Sequence, residues 1–304
     1  MAREMDVLTP RDVPLGGVRA MSVRRTLPQR SRTLIGAWCF VDHYGPDPVD
    51  PDTGMVVPPH PHTGLQTVSW LFTGEIEHRD SAGHHAVVRP GEVNLMTAGR
   101  GIAHSEYSVP GISTLHGAQL WLALPDGDRQ VDPAFEHYAP PLVRGDGLEA
   151  RVFLGSLLGE TSPVRTYSPL LGAELRLTAG TTHRLEVDSA FEHGLLLDAG
   201  AVRVDGADLA AHELGYLAPG AGSIDLVADR DSVLLLLGGT PFGEQIVMWW
   251  NFIGREHDEV AGYRAQWQHL LETGADERFA LPDGDPLPAL PAPALPNARM
   301  VRRG

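Results

Sequence analysis

A chain of 304 residues is long enough for one large or two ordinary domains, each with a real core. Its net charge of -15 opposes a phosphate backbone, and its densest basic run (Arg19, Arg24, Arg25, Arg30, Arg32) is spread among Ser, Leu and Pro as a solvated face, so no direct nucleic-acid binding is expected. One cysteine, Cys39, excludes an intrachain disulfide framework; with no signal-type start and no apolar run of about 18 residues, the reading is a cytoplasmic protein without a membrane helix.

With 34 Gly and 25 Pro set between short apolar runs, the elements read as strands. Val18, Met21 and Val23 suggest an early strand, and Leu34 to Tyr44 is an apolar run of strand length. Asp47 to Pro59 is a loop dense in Pro and Asp that delivers the chain to His60. From Leu65, Val68, Trp70 and Phe72 alternate with Thr67, Ser69 and Thr73 before Gly74-Glu75 turns the chain. Further strands are expected at Ile76 to Arg79, Ala86 to Val88, Val93 to Thr97 and Leu115 to Leu124. Closely spaced short strands of this kind describe a sandwich or barrel of the jelly-roll type.

Asp126 to Pro169, rich in turn residues, reads as a linker flanked by short strands. A second β pattern follows at Glu174 to Leu177, His183 to Val187, Gly194 to Asp198, Val202 to Val204, Glu213 to Leu217, Ser223 to Val227 and Val233 to Leu237. Its rhythm resembles that of residues 60 to 124, as in a divergent duplication. It lacks a pair of metal-type residues two apart on each of two strands. Val260, Tyr263, Trp267, Leu270 and Leu271 then take helical spacing, and Leu281 to Asn297 is a Pro-rich tail, extended on the surface or strapped across another domain. The Trp249-Trp250 pair reads as a packing anchor for that helix.

The chemistry is concentrated in two short clusters, His60-Pro61-His62 and His104-Ser105-Glu106. Strand residues two apart face the same way, so each cluster presents a pair of donors to one side. Pro61 fixes its own φ and disfavours the helical region for His60, which keeps both imidazoles on extended backbone. Gly64, Gly99 and Gly101 let the chain bend closely past the site. Hairpins that join the clusters would bring His60, His62, His104 and Glu106 together as ligands of one metal ion. Three imidazoles and a carboxylate suit a borderline divalent ion such as iron, manganese, nickel, copper or zinc rather than calcium or magnesium, and iron with open positions is the reading that implies catalysis. His84-His85, adjacent rather than alternate, and His78, alone in mid-strand, read as surface. Trp70, Phe72, Met96 and Trp121 are candidates to line the barrel, though core packing is the expectation for at least half. Gln66, Gln119 and Arg100 are candidates to orient the ligands by hydrogen bonds. Cys39 reads as a buried small hydrophobe.

The runs CFVDHYGP (39 to 46), HPHTGLQTVSWLFTGEIEHRDSAG (60 to 83), RPGEVNLMTAGRGIAHSE (89 to 106) and QLWLALP (119 to 125) resemble the signature segments of the pirin family, a branch of the cupins. The likeness is dense over residues 15 to 125 and looser over 150 to 250, and GTPFGEQIVMWWNFIGR resembles the closing segment of bacterial pirin-related proteins. The resemblance implies an all-β bicupin: two tandem jelly-roll β-barrel domains with a short C-terminal helix and the Pro-rich tail. The implied division is a metal-binding cupin over 1–130, linker and flanking strands over 131–165, a metal-free cupin over 166–256, and helix and tail over 257–304. It further implies one divalent metal ion, Fe(II) above Mn, Ni, Cu or Zn, at His60, His62, His104 and Glu106, and one of two roles. The first is dioxygenation of a small aromatic substrate, a flavonol such as quercetin or a similar phenolic chelator, with Glu106 as ligand, general base or both. The second is a metal- or redox-dependent protein partner of a transcription regulator or metabolic enzyme. A longer Asp47 to Pro59 loop and the tail depart from the family pattern and would reshape the entrance.

Overall fold

The computed structural model describes residues 4–15, 21–49 and 54–304. Val18, Arg19 and part of the Asp47 to Pro59 loop lie outside them.

Every strand pair is antiparallel, and the strands form two units of the same construction. In the first, a seven-stranded sheet runs in the order Ala134–Tyr138, Val93–Thr97, Leu65–Thr73, Thr114–Ala123, Trp38–Pro48, Ser22–Leu27, Arg11–Pro14. It packs on a four-stranded sheet of Val56–His62, Ile102–Ser108, Ile76–Asp80 and His85–Val88 through Val23, Tyr44, Leu71 and Leu115 against Met55, Val57, Ile76 and Val88. The second unit repeats the plan with seven strands against four. Leu148–Leu154, inside the stretch read as linker, is an inner strand of its larger sheet, and Met5–Leu8 pairs with Leu214–Leu217 at that sheet's edge.

The two seven-stranded sheets pack back to back. Trp38, Val41, Val68, Trp70, Leu95 and Leu120 of the first meet Phe153, Leu170, Leu196, Leu235 and Leu237 of the second in one apolar cluster. Trp70 stacks on Phe153 with ring centroids 4.5 Å apart, and its Nε1 donates to Glu174 Oε2 at 2.7 Å. This contact explains why Leu65–Thr73 is buried from Leu65 to Leu71 rather than on one face only. Both of its faces are covered, the Val68/Trp70 face by the second unit.

The one helix among the described residues, His257–Thr273, buries Val260, Tyr263, Trp267 and Leu270 as the spacing predicts. Asp258 and Glu259 in its first turn complement the helix dipole, and Gly274 closes it in a left-handed conformation with its N–H on Leu270 O at 2.8 Å. The helix packs on Ala103 of the first unit, on the Val247–Trp249 and Phe252–Gly254 hairpin, and on Phe279 and Ala292 of the tail. The tail is strapped down. Trp267 Nε1 donates to Leu290 O at 2.8 Å, Leu290 N to Pro59 O at 2.8 Å, and Asp285 accepts from Ser105 Oγ at 2.5 Å and Tyr107 Oη at 2.6 Å. No helix among the described residues is long and apolar enough to cross a membrane.

Candidate metal centre

Val56–His62 and Ile102–Ser108 are neighbours in the four-stranded sheet, with His104 opposite His60 and Ile102 opposite His62. The pairing turns two sequence-distant clusters into one face. Gly64, at φ 68, makes the approach possible, because a Cβ there would lie 2.4 Å from Ile253 O of the crossing hairpin. Gly99, at φ 51, passes equally close to Val131 O, where a Cβ would lie at 2.0 Å.

His60, His62 and His104 converge with ring centroids 4.4 to 4.9 Å apart, and His62 Nε2 stands 3.0 Å from His104 Nε2. All three are buried. His60 Nδ1 donates to Pro58 O at 2.9 Å, which leaves Nε2 as the bare nitrogen. His62 Nδ1 is buried and makes no well-formed hydrogen bond. Burial pushes the His60 imidazole down to about 4 and holds His62 and His104 well below the usual histidine range. They are neutral at pH 7, the form that ligates metal. Burial raises the carboxyl of Glu106, beside which Ser69 Oγ stands 3.5 Å from Oε1. The register shift between His104 and Glu106 groups the carboxylate with His104 and His78, while all four candidates border one cavity of about 410 Å³. Three convergent neutral imidazoles with an adjoining carboxylate are a donor set that fits a divalent metal ion.

Several expectations are corrected. His78 is not a surface residue: it is 3% exposed, its Nδ1 lies 3.3 Å from His104 Nδ1, and its Nε2 is 3.2 Å from Asp80 Oδ2. Asp80 in turn holds His84 Nδ1 at 3.0 Å, while His85 is exposed. The spacing His78-Arg79-Asp80 carried the signal, two polar residues on one strand face. Trp70 and Phe72 point to the inter-unit contact rather than the cavity, because the apolar face of their strand looks outward from the first unit. Met96 is core, and Trp121 alone of those four lines the cavity. Gln119 lines it too, with Ser69 Oγ donating to its Oε1 at 3.0 Å. Gln66 instead bonds Thr97 Oγ1 and Arg165 O, and Arg100 reaches out to Asp132.

The rest of the lining comes from distant stretches: Arg11, Pro14 and Leu15 near the N-terminus, Met248 to Asn251 of the hairpin, and Leu290 of the tail. Trp249 and Trp250 therefore wall the cavity besides packing near the helix. On the opposite wall Arg25, held by Asp42 at 2.6 and 2.7 Å, lies 4.3 Å over the Phe40 ring. Phe40 stacks on Trp121 at 4.0 Å, and Trp121 meets His62 edge-on at 5.1 Å. Cys39 is fully buried, and burial pushes its thiol up, as expected of a small hydrophobe in the core.

The Pirin profile matches residues 18–122, and the profile of the Pirin C-terminal cupin domain matches 172–271. The chain belongs to the pirin family. PA1205 of Pseudomonas aeruginosa, provisionally named a quercetin 2,3-dioxygenase, is 45% identical over 290 residues, covering 95% of this chain and 90% of its own. A pirin-like protein of Caulobacter vibrioides is 37% identical over 89% of this pirin and 94% of its own length. The crystal structure named quercetin 2,3-dioxygenase from Acinetobacter baumannii superposes with a TM-score of 0.91 at 39% identity, covering 98% of this chain and 97% of that one. The two cupin domains of the family correspond to the two units described above.

Proposed function

We propose that this pirin is an iron-dependent dioxygenase that opens a flavonol such as quercetin, with His60, His62, His104 and Glu106 as the ligands of one Fe(II). The observation that carries the reading is the neutral imidazole cluster at the floor of a cavity walled by aromatic side chains. The quercetin dioxygenase names of a 45% identical relative and a 39% identical structure support the substrate class.

When bound, the metal supplies a Lewis acid for a deprotonated hydroxyl and the redox capacity that dioxygen chemistry requires. The protein's own residues do the rest. Trp121, Trp249 and Trp250 line the cavity as flat apolar surfaces for the flavonol rings and exclude water, with Phe40 backing Trp121. Glu106 accepts the hydroxyl proton: Ser69 stands beside Oε1, leaving Oε2 for the transfer, and burial brings the carboxyl nearer the range of an effective base. Gln119 is placed to orient a polar substituent from the same wall.

The test is quercetin loss and dioxygen consumption by the iron-loaded protein beside its His104→Ala variant. Matched consumption of the two by the wild type, abolished in the variant, is expected. Equal rates in both proteins would refute the oxygenase reading.

A further inference from the structure

A second group of metal-type side chains lies where the two units meet, and none of its members lines the cavity above. His43 on Trp38–Pro48 and His116 on Thr114–Ala123 come from the first unit, and Asp198 on Glu192–Ala199 comes from the second. Their donor atoms all lie within 4.8 Å of one another, and His43 Nε2 and His116 Nε2 each stand 2.6 Å from Asp198 Oδ1. A further imidazole stands just outside that 4.8 Å group, near enough to turn in as a fourth donor. The His212 ring lies 5.3 Å from that of His43, and its Nδ1 is buried without a hydrogen-bond partner. The backbone holds His212 at φ 72, a left-handed conformation uncommon outside glycine, with its N–H on Leu197 O at 2.6 Å. His212 is thereby fixed beside Asp198.

We propose that His43, His116, Asp198 and His212 form a second divalent-metal site, suited to zinc, that ties the two cupin units together. Three imidazoles and one carboxylate match a closed tetrahedral zinc shell. Burial favours the neutral form of His43. Burial alone would raise the Asp198 carboxyl, but hydrogen bonds from His116 and His43 hold it below the usual carboxylate range, so the site carries the anion it needs. His43 and Asp198 are buried while His116 is partly open, which gives an ion a way in. Arg24 supplies a distinguishing feature. Its Nε donates to His43 Nδ1 at 3.3 Å, which leaves the imidazole proton on Nε2, facing Asp198. Binding a cation at Nε2 moves that proton to Nδ1 and turns Arg24 away, so the guanidinium opposes the ion. Its removal should tighten metal binding, whereas a contact made only of hydrogen bonds would gain nothing.

The experiment is calorimetric titration of untagged, metal-stripped, full-length protein with zinc alone. The wild type should take two equivalents, His60→Ala/His104→Ala one, and the same variant carrying His116→Ala none. Arg24→Gln should bind the second equivalent more tightly. His212→Ala, at a partly exposed position, provides the second probe should His116→Ala fail to fold, and it should weaken that equivalent. A wild type that takes one equivalent, lost with His104→Ala but kept with His116→Ala, would overturn the second site and leave the first intact. A second equivalent indifferent to both His116→Ala and His212→Ala would overturn it equally.

Discussion

His104 is the residue through which the proposed metal centre is held. Its Nε2 faces His62 while its Nδ1 faces His78, which is anchored in turn by Asp80, a carboxylate 2% exposed with backbone N–H groups of Ala82 and His84 on its Oδ1. Outer partners of this kind fix the ring orientation of a ligand, so Asp80→Ala should weaken metal affinity by roughly 10- to 100-fold. Chelator competition measures this, and unchanged affinity would remove Asp80 from the role. The imidazole pairs themselves were legible because period-2 spacing and Pro61 need no tertiary information. His78 was half legible: its spacing from Asp80 puts both on one face, but alternation does not tell what covers that face. The pairing of Ile76–Asp80 with Ile102–Ser108 decides that.

At the scale of elements, strand positions were readable and strand orientation was not. Leu65–Thr73 and Val93–Thr97 fall where the sequence places them, yet Val68 and Trp70 face away from the three-histidine cluster. In a single sandwich the apolar face would turn inward; here the polar face of Ser69 turns inward to serve the cavity, and the second unit covers the other. The helical spacing around Trp267 held because a lone amphipathic helix has one face to bury. Trp267 is fully buried, anchors the tail through Leu290 O and touches Phe279, so Trp267→Ala should cost about 3–5 kcal/mol. Urea unfolding gives that value. A loss below about 1 kcal/mol would mean that the site collapses around the cavity, contrary to close packing around Trp267. That the tail reshapes the entrance was an expectation, but not that Leu290 is the residue that walls the cavity, since some 230 residues separate it from His60 and only the fold brings them together.

The whole molecule is two sandwiches fused through their larger sheets, with Met5–Leu8 laid on the second unit before the chain builds the first. Trp38 Nε1 on Gly238 O at 3.1 Å and Trp70 on Glu174 carry hydrogen bonds across the same apolar contact. Neither unit can lose the other without exposing that surface, so calorimetric unfolding should show a single cooperative transition. Two resolved transitions would mean that the contact is weaker than its burial indicates. The duplication was visible as rhythm in the sequence, but the shared face was not, because runs such as Leu234 to Leu237 read alike whether they meet their own sheet partner or another unit.

The central claim is the placement of one metal ion by His60, His62, His104 and Glu106. Anomalous scattering at the iron absorption edge from crystals of the iron-loaded protein tests it most directly. The expected result is a peak between these four side chains at the floor of the aromatic cavity. A map with no peak there, or with iron bound away from His62 and His104, would contradict it.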